Sequence, residues 1–393
     1  MSEYKHGVYS SIKAVGTVKS NLALTAIVYV GTAPVQTVAG GIDNVNKPVV
    51  VENIAQARAL FGYSDDWAKY TLCEAMKVHL QDKGVGPLVL INVLDPAVNK
   101  GEAGDVNLTP SNGQIVINNA ENIIVDTLQV TGKVEGVDYT AVYSWKNKTL
   151  TIKEKAAGKL GSAALKITYD TADATNVENA QVIGSSDMGE NKGIYAVKSV
   201  YQETGYIPSF LCVPGWGSIP EIHNVMEANS VKVNGHWNMY MFVDLPLTDN
   251  ATPLNMSTIA AWKNSHGYNN ANETVYFPMA KGTDGKNYHL SVLAAANMQE
   301  LLLKQDGIPY RTASNTETPI VQNLHMGANS EGKVYDDETI NELLNRNGIA
   351  SAAFVGGRWA LWGAHSADYS YDDGDMINMS ETSRMMLYYI GND

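Results

Sequence analysis

The sequence predicts an α/β protein in which a mostly parallel sheet with flanking helices is interrupted by an inserted antiparallel β-sandwich domain. Two observations predict the sheet: short apolar runs recur about every 30 residues, and amphipathic helical segments separate them. A third observation predicts the insertion. Between residues 101 and 188 the helical period disappears, and short strand-like runs alternate with turn residues.

The segment before the insertion, residues 22–100, contains the first part of the α/β core. The run Leu22–Val30 is rich in β-branched residues and predicts a buried strand. A short helix, Ile54–Phe61, follows a capping Asn, and a longer helix with an apolar stripe is predicted over Asp66–Gln81. Pro87–Val93 predicts a second buried strand, so this segment forms a β-α-β unit.

Residues 101–188 predict a small antiparallel sandwich. Asn-Gly, Thr-Gly-Lys and similar turn sequences separate its apolar runs at the spacing of all-β domains. The predicted strands are Gln114–Asn118, Ile123–Val130, Tyr139–Trp145, Leu150–Lys153 and Leu165–Tyr169. Because inserted domains are tolerated best at the periphery of a protein, we expect this one to point outward.

The α/β rhythm returns in residues 189–358. The predicted helices are Tyr195–Thr204, Pro220–Ser230, Met256–Lys263, Leu290–Lys304 and Asp336–Asn347. The predicted strands are Pro208–Val213, Trp237–Leu245, Thr274–Ala280 and Ala350–Val355. Crossover connections through helices place successive strands parallel to one another, which extends the same sheet.

The two ends of the chain differ from the core. Residues 1–21 are polar with alternating apolar positions, which is typical of an extended arm. Residues 359–393 begin a further region, in which a Trp-rich stretch is followed by the opening of a helix at Ser383–Ile390. Since a domain rarely ends where an amphipathic element has just begun, we expect this C-terminal region to be truncated at Asp393.

Composition excludes several classes of function. The chain has 393 residues, with 28 basic and 41 acidic side chains and a formal net charge of −13. Such a chain repels phosphate backbones, so we expect no nucleic-acid partner. The two cysteines, Cys73 and Cys212, lie in apolar stretches, which excludes a disulfide framework and a cysteine-based zinc cluster. The longest apolar-rich run, Leu22–Val30, is too short to predict a membrane span.

Sequence motifs for phosphate or acyl chemistry are absent. No Gly-x-x-x-x-Gly-Lys-Ser/Thr occurs, and no Gly-x-Ser-x-Gly occurs. Gly215-Trp216-Gly217 follows a predicted strand, but Pro220 occupies the place of the third glycine of a dinucleotide motif. The tryptophan between the glycines also obstructs a pyrophosphate, so a tight turn is favoured.

Metal-binding patterns are weak as well. The eight histidines are His6, His79, His223, His236, His266, His289, His325 and His365, and no two of them share a helical turn. The acidic segment Asp368–Asp375 resembles a calcium loop, but Asp373 replaces the required glycine and Met379 replaces the bidentate glutamate. A solvated acidic loop is therefore favoured, and we predict no metal and no cofactor.

Two functional alternatives stay open on the residues alone. Asp244 at a strand end, with His266 and Ser291 downstream, leaves an α/β hydrolase with a β-rich substrate domain as an alternative. An Asn/Gly-rich insertion also suits a surface-layer protein, although the N-terminal residues do not form an export signal. The aromatic residues Trp359, Trp362, Tyr369, Tyr371, Tyr388 and Tyr389 suit core packing and a partner surface equally well.

Several segments, in order, resemble the contractile tail sheath proteins of bacteriophages and phage-tail-like particles. They are Tyr4–Tyr9 leading into Leu24–Pro34, then Pro208–Trp216 with its Pro-Gly-Trp turn, Tyr276-Phe277-Pro278, and Gly348–Gly363 with its Gly-Arg-Trp-Ala-Leu-Trp-Gly sequence. Each segment alone is unspecific, and their order is what makes the resemblance specific. It extends over nearly the whole chain, although the insertion matches by position rather than by sequence.

The resemblance implies a fold and a function. The fold is an N-terminal arm, a β-sandwich insertion, a subtilisin-like α/β domain without the protease residues, and a C-terminal domain. The function is that of a structural subunit: hexameric rings stack helically around an inner tube and contract to drive it through the target cell envelope. The resemblance implies no enzyme activity and no catalytic, cofactor-binding or metal-binding residues.

The same resemblance implies partners and a location. Neighbouring sheath subunits contact one another through their terminal arms, which add strands to exposed sheet edges. The inner tail tube protein, the baseplate and the tail terminator proteins are the other expected partners. The expected location is the tail of a virion or of a phage-tail-like bacteriocin, which is a contractile injection system assembled in the bacterial host cytoplasm.

Overall fold

A computed structural model describes residues 25–187, 189–327, 335–371 and 379–392. The predicted N-terminal arm, residues 1–21, lies outside the described residues. The first part of the core contains β1 (Thr25–Gly31), β2 (Pro48–Val51), α1 (Ile54–Phe61), α2 (Leu72–Ala75) and β3 (Leu88–Asn92). Helix α2 continues as π-helical turns over Met76–Lys83.

Local signals explain where these helices begin. Helix α1 has the predicted bounds, because the Asn53 side chain accepts a hydrogen bond from the Gln56 backbone N–H at 3.0 Å. The second helix begins at Leu72 rather than at Asp66, so the predicted start is wrong. The Leu72 N–H donates to the Thr32 carbonyl at 3.0 Å, which ties this point of the chain to the end of β1.

The insertion folds as two three-stranded antiparallel sheets. Its strands are β4 (Gly104–Leu108), β5 (Gln114–Asn118), β6 (Gln129–Val130), β7 (Tyr139–Ser144), β8 (Thr149–Glu154) and β9 (Leu165–Tyr169). The sheet orders are β4-β9-β6 and β5-β8-β7, and apolar side chains from both sheets form one cluster. The predicted strand Ile123–Val130 is wrong except at its end, because a 3₁₀ turn at Val125–Thr127 interrupts the extended chain.

The chain then returns to the core. The next elements are α3 (Asn179–Ile183), β10 (Ser186–Asp187), β11 (Glu190–Asn191), α4 (Val200–Thr204), β12 (Ile207–Cys212), α5 (Pro220–Ser230), β13 (Tyr240–Asp244), β14 (Thr248–Asp249), β15 (Thr252–Pro253) and α6 (Ile259–Ser265). Helix α4 is shorter than predicted, because Gly193–Ser199 forms a 3₁₀ helix. Helix α5 has the predicted bounds, with Pro220 in its first turn, where a missing N–H costs nothing.

The remaining elements complete the sheet and cover it. They are β16 (Glu273–Tyr276), β17 (Met279–Gly282), β18 (Asn287–Tyr288), α7 (Leu290–Lys304), β19 (Val321–His325), α8 (Asp337–Leu343), β20 (Ile349–Val355), β21 (Arg358–Trp362) and α9 (Glu381–Asn392). The predicted strand Thr274–Ala280 is divided at Pro278, which has no N–H for a ladder.

The central sheet has eight strands in the order β2-β3-β1-β12-β13-β16-β20-β21. The six inner strands are parallel, while β2 and β21 run antiparallel at the two edges. The predicted mostly parallel sheet is therefore confirmed. The outer side of β21 is hydrogen-bonded to residues 315–318, since the Thr318 N–H donates to the Trp359 carbonyl at 2.9 Å and the Leu361 N–H to the Thr316 carbonyl at 3.0 Å.

Helix α7 lies at the centre of the core and is buried over almost its whole length. Its first residues lie near the carboxyl ends of the parallel strands, where β13 ends at Asp244. None of the helices within the described ranges combines the length and the apolar character that crossing a bilayer requires.

Candidate functional site

An open cleft of about 650 Å³ lies at the carboxyl ends of the parallel strands. In the sheet, β3 lies on one side of β1, while β12, β13 and β16 follow one another on its other side. A crevice at such a reversal of strand order is where open α/β sheets bind ligands. Trp67, Thr71, Gly215, Trp216 and His289 are among the residues that line this cleft.

A buried polar cluster lies beside the cleft, at the first turn of α7. Asp244 accepts hydrogen bonds from the Ser291 N–H at 3.0 Å and from the Ser291 hydroxyl. Glu74 accepts from the His289 N–H at 2.6 Å, and His289 Nδ1 donates to its other oxygen at 2.6 Å. The two carboxylates therefore accept hydrogen bonds from backbone N–H groups that the start of a helix leaves unpaired. The positive end of the helix dipole also stabilises their negative charges.

The ion pair changes the protonation of His289. Burial by itself lowers the pKa of the imidazole, but the Glu74 carboxylate raises it to about 9. His289 is consequently cationic at neutral pH. It partly neutralises the two carboxylates, of which Glu74 is 0 % and Asp244 8 % exposed.

The hydrolase alternative required Asp244, His266 and Ser291 to meet. The structure brings Asp244 and Ser291 together but places His266 elsewhere, stacked on the Trp262 ring at 4.2 Å between centroids. The Ser291 hydroxyl donates to a carboxylate instead of an imidazole, so within the described residues the predicted Ser-His contact is not formed. His289 and Glu74, which the sequence analysis missed, form a pair 215 residues apart, and no local motif indicates it.

The glycine pair at the cleft forms a tight turn. The Trp216 and Gly217 N–H groups both donate to the Val213 carbonyl, at 3.2 and 2.8 Å. Gly215 has φ of +77°, and a Cβ there would meet the Thr71 methyl carbon at 3.1 Å. The Trp216 side chain packs against the core. This geometry leaves no Gly-rich phosphate cradle at the turn.

The acidic segment Asp368–Asp375 is described only as far as Tyr371, and its remaining residues lie outside the described ranges. Asp368 accepts from Arg384 at 3.0 Å and from the Ser366 hydroxyl at 2.5 Å. This first carboxylate of the segment is thus engaged with α9. For the remaining residues of the segment, a solvated loop stays a prediction from sequence.

Most of the C-terminal aromatic residues pack against the core or against another ring, and one of them is exposed. Trp359, Trp362 and Tyr388 pack against the main core, and Tyr369 stacks on His365 at 3.7 Å between centroids. Tyr371 in contrast is 57 % exposed. Most of this group therefore belongs to the core.

A second titratable cluster lies between α5 and the start of β16. His223, Glu227 and Glu273 each have one donor atom within 4.8 Å of the others. His223 Nε2 donates to Glu273 at 2.6 Å, and both side chains are fully buried. Nearby, the buried Lys263 ammonium donates to the Ala367 carbonyl at 2.6 Å, and burial lowers its pKa to about 8.

No protein-family model matches this chain. A tail sheath protein of Burkholderia phage BcepMu is 29% identical to it over 253 residues, which is 63% of this chain and 50% of that protein. The matched part thus spans half the length of this curated relative. The resemblance to tail sheath proteins that the sequence indicates is confirmed.

Solved structures agree on the fold. The sheath tail protein of Desulfitobacterium hafniense aligns with a TM-score of 0.52 at 10% identity, over 98% of this chain and 81% of that one. The sheath tail protein of Listeria innocua aligns with a TM-score of 0.51 at 10% identity, over 94% and 74%. The overall fold of the chain is therefore similar to the folds of these two sheath tail proteins.

Proposed function

We propose that this chain is a structural subunit of a contractile tail sheath. The observation that carries the proposal is that a comparison of sequences and a comparison of folds lead independently to tail sheath proteins. The geometry of the cleft supports it, because among the described residues Ser291 and His289 are each bound to a different carboxylate. This arrangement stabilises the start of α7 and does not form a Ser-His pair.

In the proposed assembly, hexameric rings of subunits stack helically around an inner tube and contract to drive the tube through a cell envelope. Terminal arms link neighbouring subunits, and the tube, baseplate and tail terminator proteins are further partners. The work comes from repacking of subunit surfaces, so the proposal requires no catalytic residue or cofactor. The subunit is located in the tail of a virion or of a phage-tail-like particle, after assembly in the host cytoplasm.

The domain plan that accompanies this function is also a proposal. It comprises an arm (1–21), a divided subtilisin-like α/β domain (22–100 and 189–358), an outward-facing β-sandwich (101–188) and the start of a C-terminal region (359–393). The antiparallel insertion with its own apolar cluster and the parallel sheet of the core support this plan.

A sheath subunit that transmits force needs its parts to move together, and the boundary between core and insertion suits this. Glu121 of the insertion is 9 % exposed and accepts from the Ser64 hydroxyl of the core at 2.6 Å. Its backbone carbonyl accepts from the Gln36 amide at 2.9 Å, and Lys148 pairs with its carboxylate at 3.1 Å. The bonds to Ser64 and Gln36 cross the boundary in the buried interior, whereas Lys148 belongs to the insertion itself.

An aromatic contact reinforces the same boundary. The Arg58 guanidinium of α1 lies 4.6 Å from the Tyr63 ring centroid and 4.7 Å from that of Trp145, which belongs to the insertion. The two rings meet edge to face at 4.7 Å. Cation–π and edge-to-face contacts are directional, so they fix the orientation of the insertion as well as its attachment.

The test is immunogold electron microscopy with antibody raised against this chain, applied to particles induced from the source cells. We expect gold along the outer wall of striated tails, on long and on shortened forms, and none with pre-immune antibody. Label restricted to the tube or the baseplate, or unlabelled tails in a preparation that contains the chain, would contradict the proposal.

A further inference from the structure

Outside the cleft, the cluster of His223, Glu227 and Glu273 has the composition of a transition-metal site. His223 and Glu227 are four residues apart on α5, so their side chains lie on the same face of the helix. Glu273 enters from the first position of β16. Spacings between histidines do not indicate this set, because a His-x-x-x-Glu pair combines here with a carboxylate that is distant in the sequence.

The distances suit an ion. One donor atom from each residue lies within 4.8 Å of the others. Ligands bound to Zn²⁺ at about 2.0–2.2 Å are separated by about 3.3 Å in a tetrahedral site. His223 Nε2 and Glu273 Oε2 are 2.6 Å apart, because they share a proton. Binding of an ion between these two atoms requires them to separate by about 0.7 Å.

The surroundings hold the ligands in place. The His223 ring stacks on Tyr268 at 3.9 Å between centroids, which fixes its plane. The Asn270 side chain donates to Glu227 at 2.5 Å, and the Asn270 N–H donates to Glu273 at 3.2 Å. Such outer contacts orient ligands in metal sites.

The two nitrogens of the His223 ring have different surroundings. Nδ1 is buried and has no hydrogen-bond partner among the described residues, while Nε2 is occupied with Glu273. An ion bound at Nε2 would leave Nδ1 to carry the proton of the imidazole ring. Glu227 is only partly buried, so the cluster is reached from solvent along its side chain.

We propose that His223, Glu227 and Glu273 form a binding site for one divalent transition-metal ion of the Zn²⁺ type. One imidazole and two carboxylates suit zinc better than calcium or magnesium, which prefer oxygen ligands alone. The bound ion joins α5 to β16 and thereby the helix layer to the sheet. The site goes beyond the sheath function, since it concerns the stability of the subunit and not its assembly.

Isothermal titration of the chelator-treated full chain with Zn²⁺ alone tests this proposal. We expect saturable binding with one site per chain. The Glu227→Gln substitution changes the partly buried ligand and keeps the His223–Glu273 hydrogen bond, so the variant should fold. We expect this variant to bind Zn²⁺ more than about tenfold more weakly than the parent chain. His236→Ala, which removes an exposed histidine, should bind like the parent chain.

Three outcomes would overturn the proposal. The first is the absence of saturable Zn²⁺ binding by the parent chain. The second is equal affinity of the Glu227→Gln variant when its circular dichroism matches that of the parent. The third is loss of binding in His236→Ala, which would assign the ion to the surface. Immunogold labelling of tails does not depend on any of these results, so the two proposals fail separately.

Discussion

Two buried glutamates, Glu74 and Glu381, are compensated in different ways. Glu74 forms an ion pair with His289 at 2.6 Å and accepts a backbone N–H from the same residue. Glu381, at the start of α9, accepts from the Thr274 hydroxyl at 3.2 Å and from the Thr312 hydroxyl, and none of the cations in the described ranges pairs with it. Their exposed fractions are 0 % and 1 %.

The partner of a buried carboxylate determines which group has the more strongly altered protonation. Burial raises the pKa of Glu74 although His289 opposes this, and the Glu74 carboxylate in turn raises the pKa of His289 to about 9. Where only hydroxyl groups donate, burial raises the pKa of Glu381 itself to about 7, although both threonines lower it. One carboxylate thus anchors a helix through an ion pair, and the other anchors α9 best when it is protonated.

Removing the cation should produce the largest effect. His289→Ala leaves Glu74 as an unpaired buried charge, and we expect a loss of about 3–5 kcal/mol in the free energy of unfolding. Urea unfolding at pH 7 measures it, with the exposed His236→Ala as control. In a Glu74→Gln background the same substitution should cost much less, and equal costs in the two backgrounds would contradict the ion pair.

The ion pair also predicts a pH dependence. The pKa of His289 is about 9 in the folded protein and near 6.5 when it is unfolded. Its contribution is therefore complete below pH 6.5 and is lost as the pH rises through 9. Urea unfolding between pH 6 and 9.5 should show this decline in the parent chain and not in His289→Ala.

Glu121, at the boundary of the insertion, is bonded both to a hydroxyl group and to a cation. The effect of replacing it should therefore lie between the effects expected at Glu74 and at Glu381. Glu121→Gln replaces charge-assisted hydrogen bonds to Ser64 and Lys148, and we expect a loss of about 2 kcal/mol. Because Lys148 is 45 % exposed, Lys148→Ala should cost less than about 1 kcal/mol. A larger effect of Lys148→Ala would mean that the ion pair within the insertion, rather than the buried contact with Ser64, accounts for most of the stabilisation by Glu121.

Glu381→Gln should stabilise the protein at alkaline pH. The folded pKa of about 7 lies above the unfolded value of 4.5, so the stability of the parent falls as the pH rises from 4.5 through 7. We expect the variant to lack this slope and to gain about 1–2 kcal/mol at pH 8. Thermal unfolding at pH 5 and pH 8 measures both, and a loss at pH 8 would contradict the comparison.

The smallest effect should come from one hydroxyl. Thr312→Val removes a donor to Glu381 with little change in volume, and we expect a loss of about 1 kcal/mol at pH 8. At pH 5, where Glu381 is protonated, the loss should be smaller. Equal losses at the two pH values would mean that the threonine acts through packing alone.

Predictions from sequence succeed where the signal is local. The cap at Asn53 and the proline at the start of α5 determine their helices within one turn. The strand predicted over Ile123–Val130 fails because alternating apolar residues also suit short turns that face a shared core. Glu74 and His289 meet only after the sheet has formed, and a buried glutamate in an apolar stripe is the one hint that the sequence holds.

The hydrogen bonds on the outer side of β21 have a kinetic consequence. Residues 315–318 already occupy the donors and acceptors that an incoming strand would use. A strand of another chain would join this edge only by exchange, so the rate of its addition would be set by how often the resident segment detaches rather than by how often subunits collide.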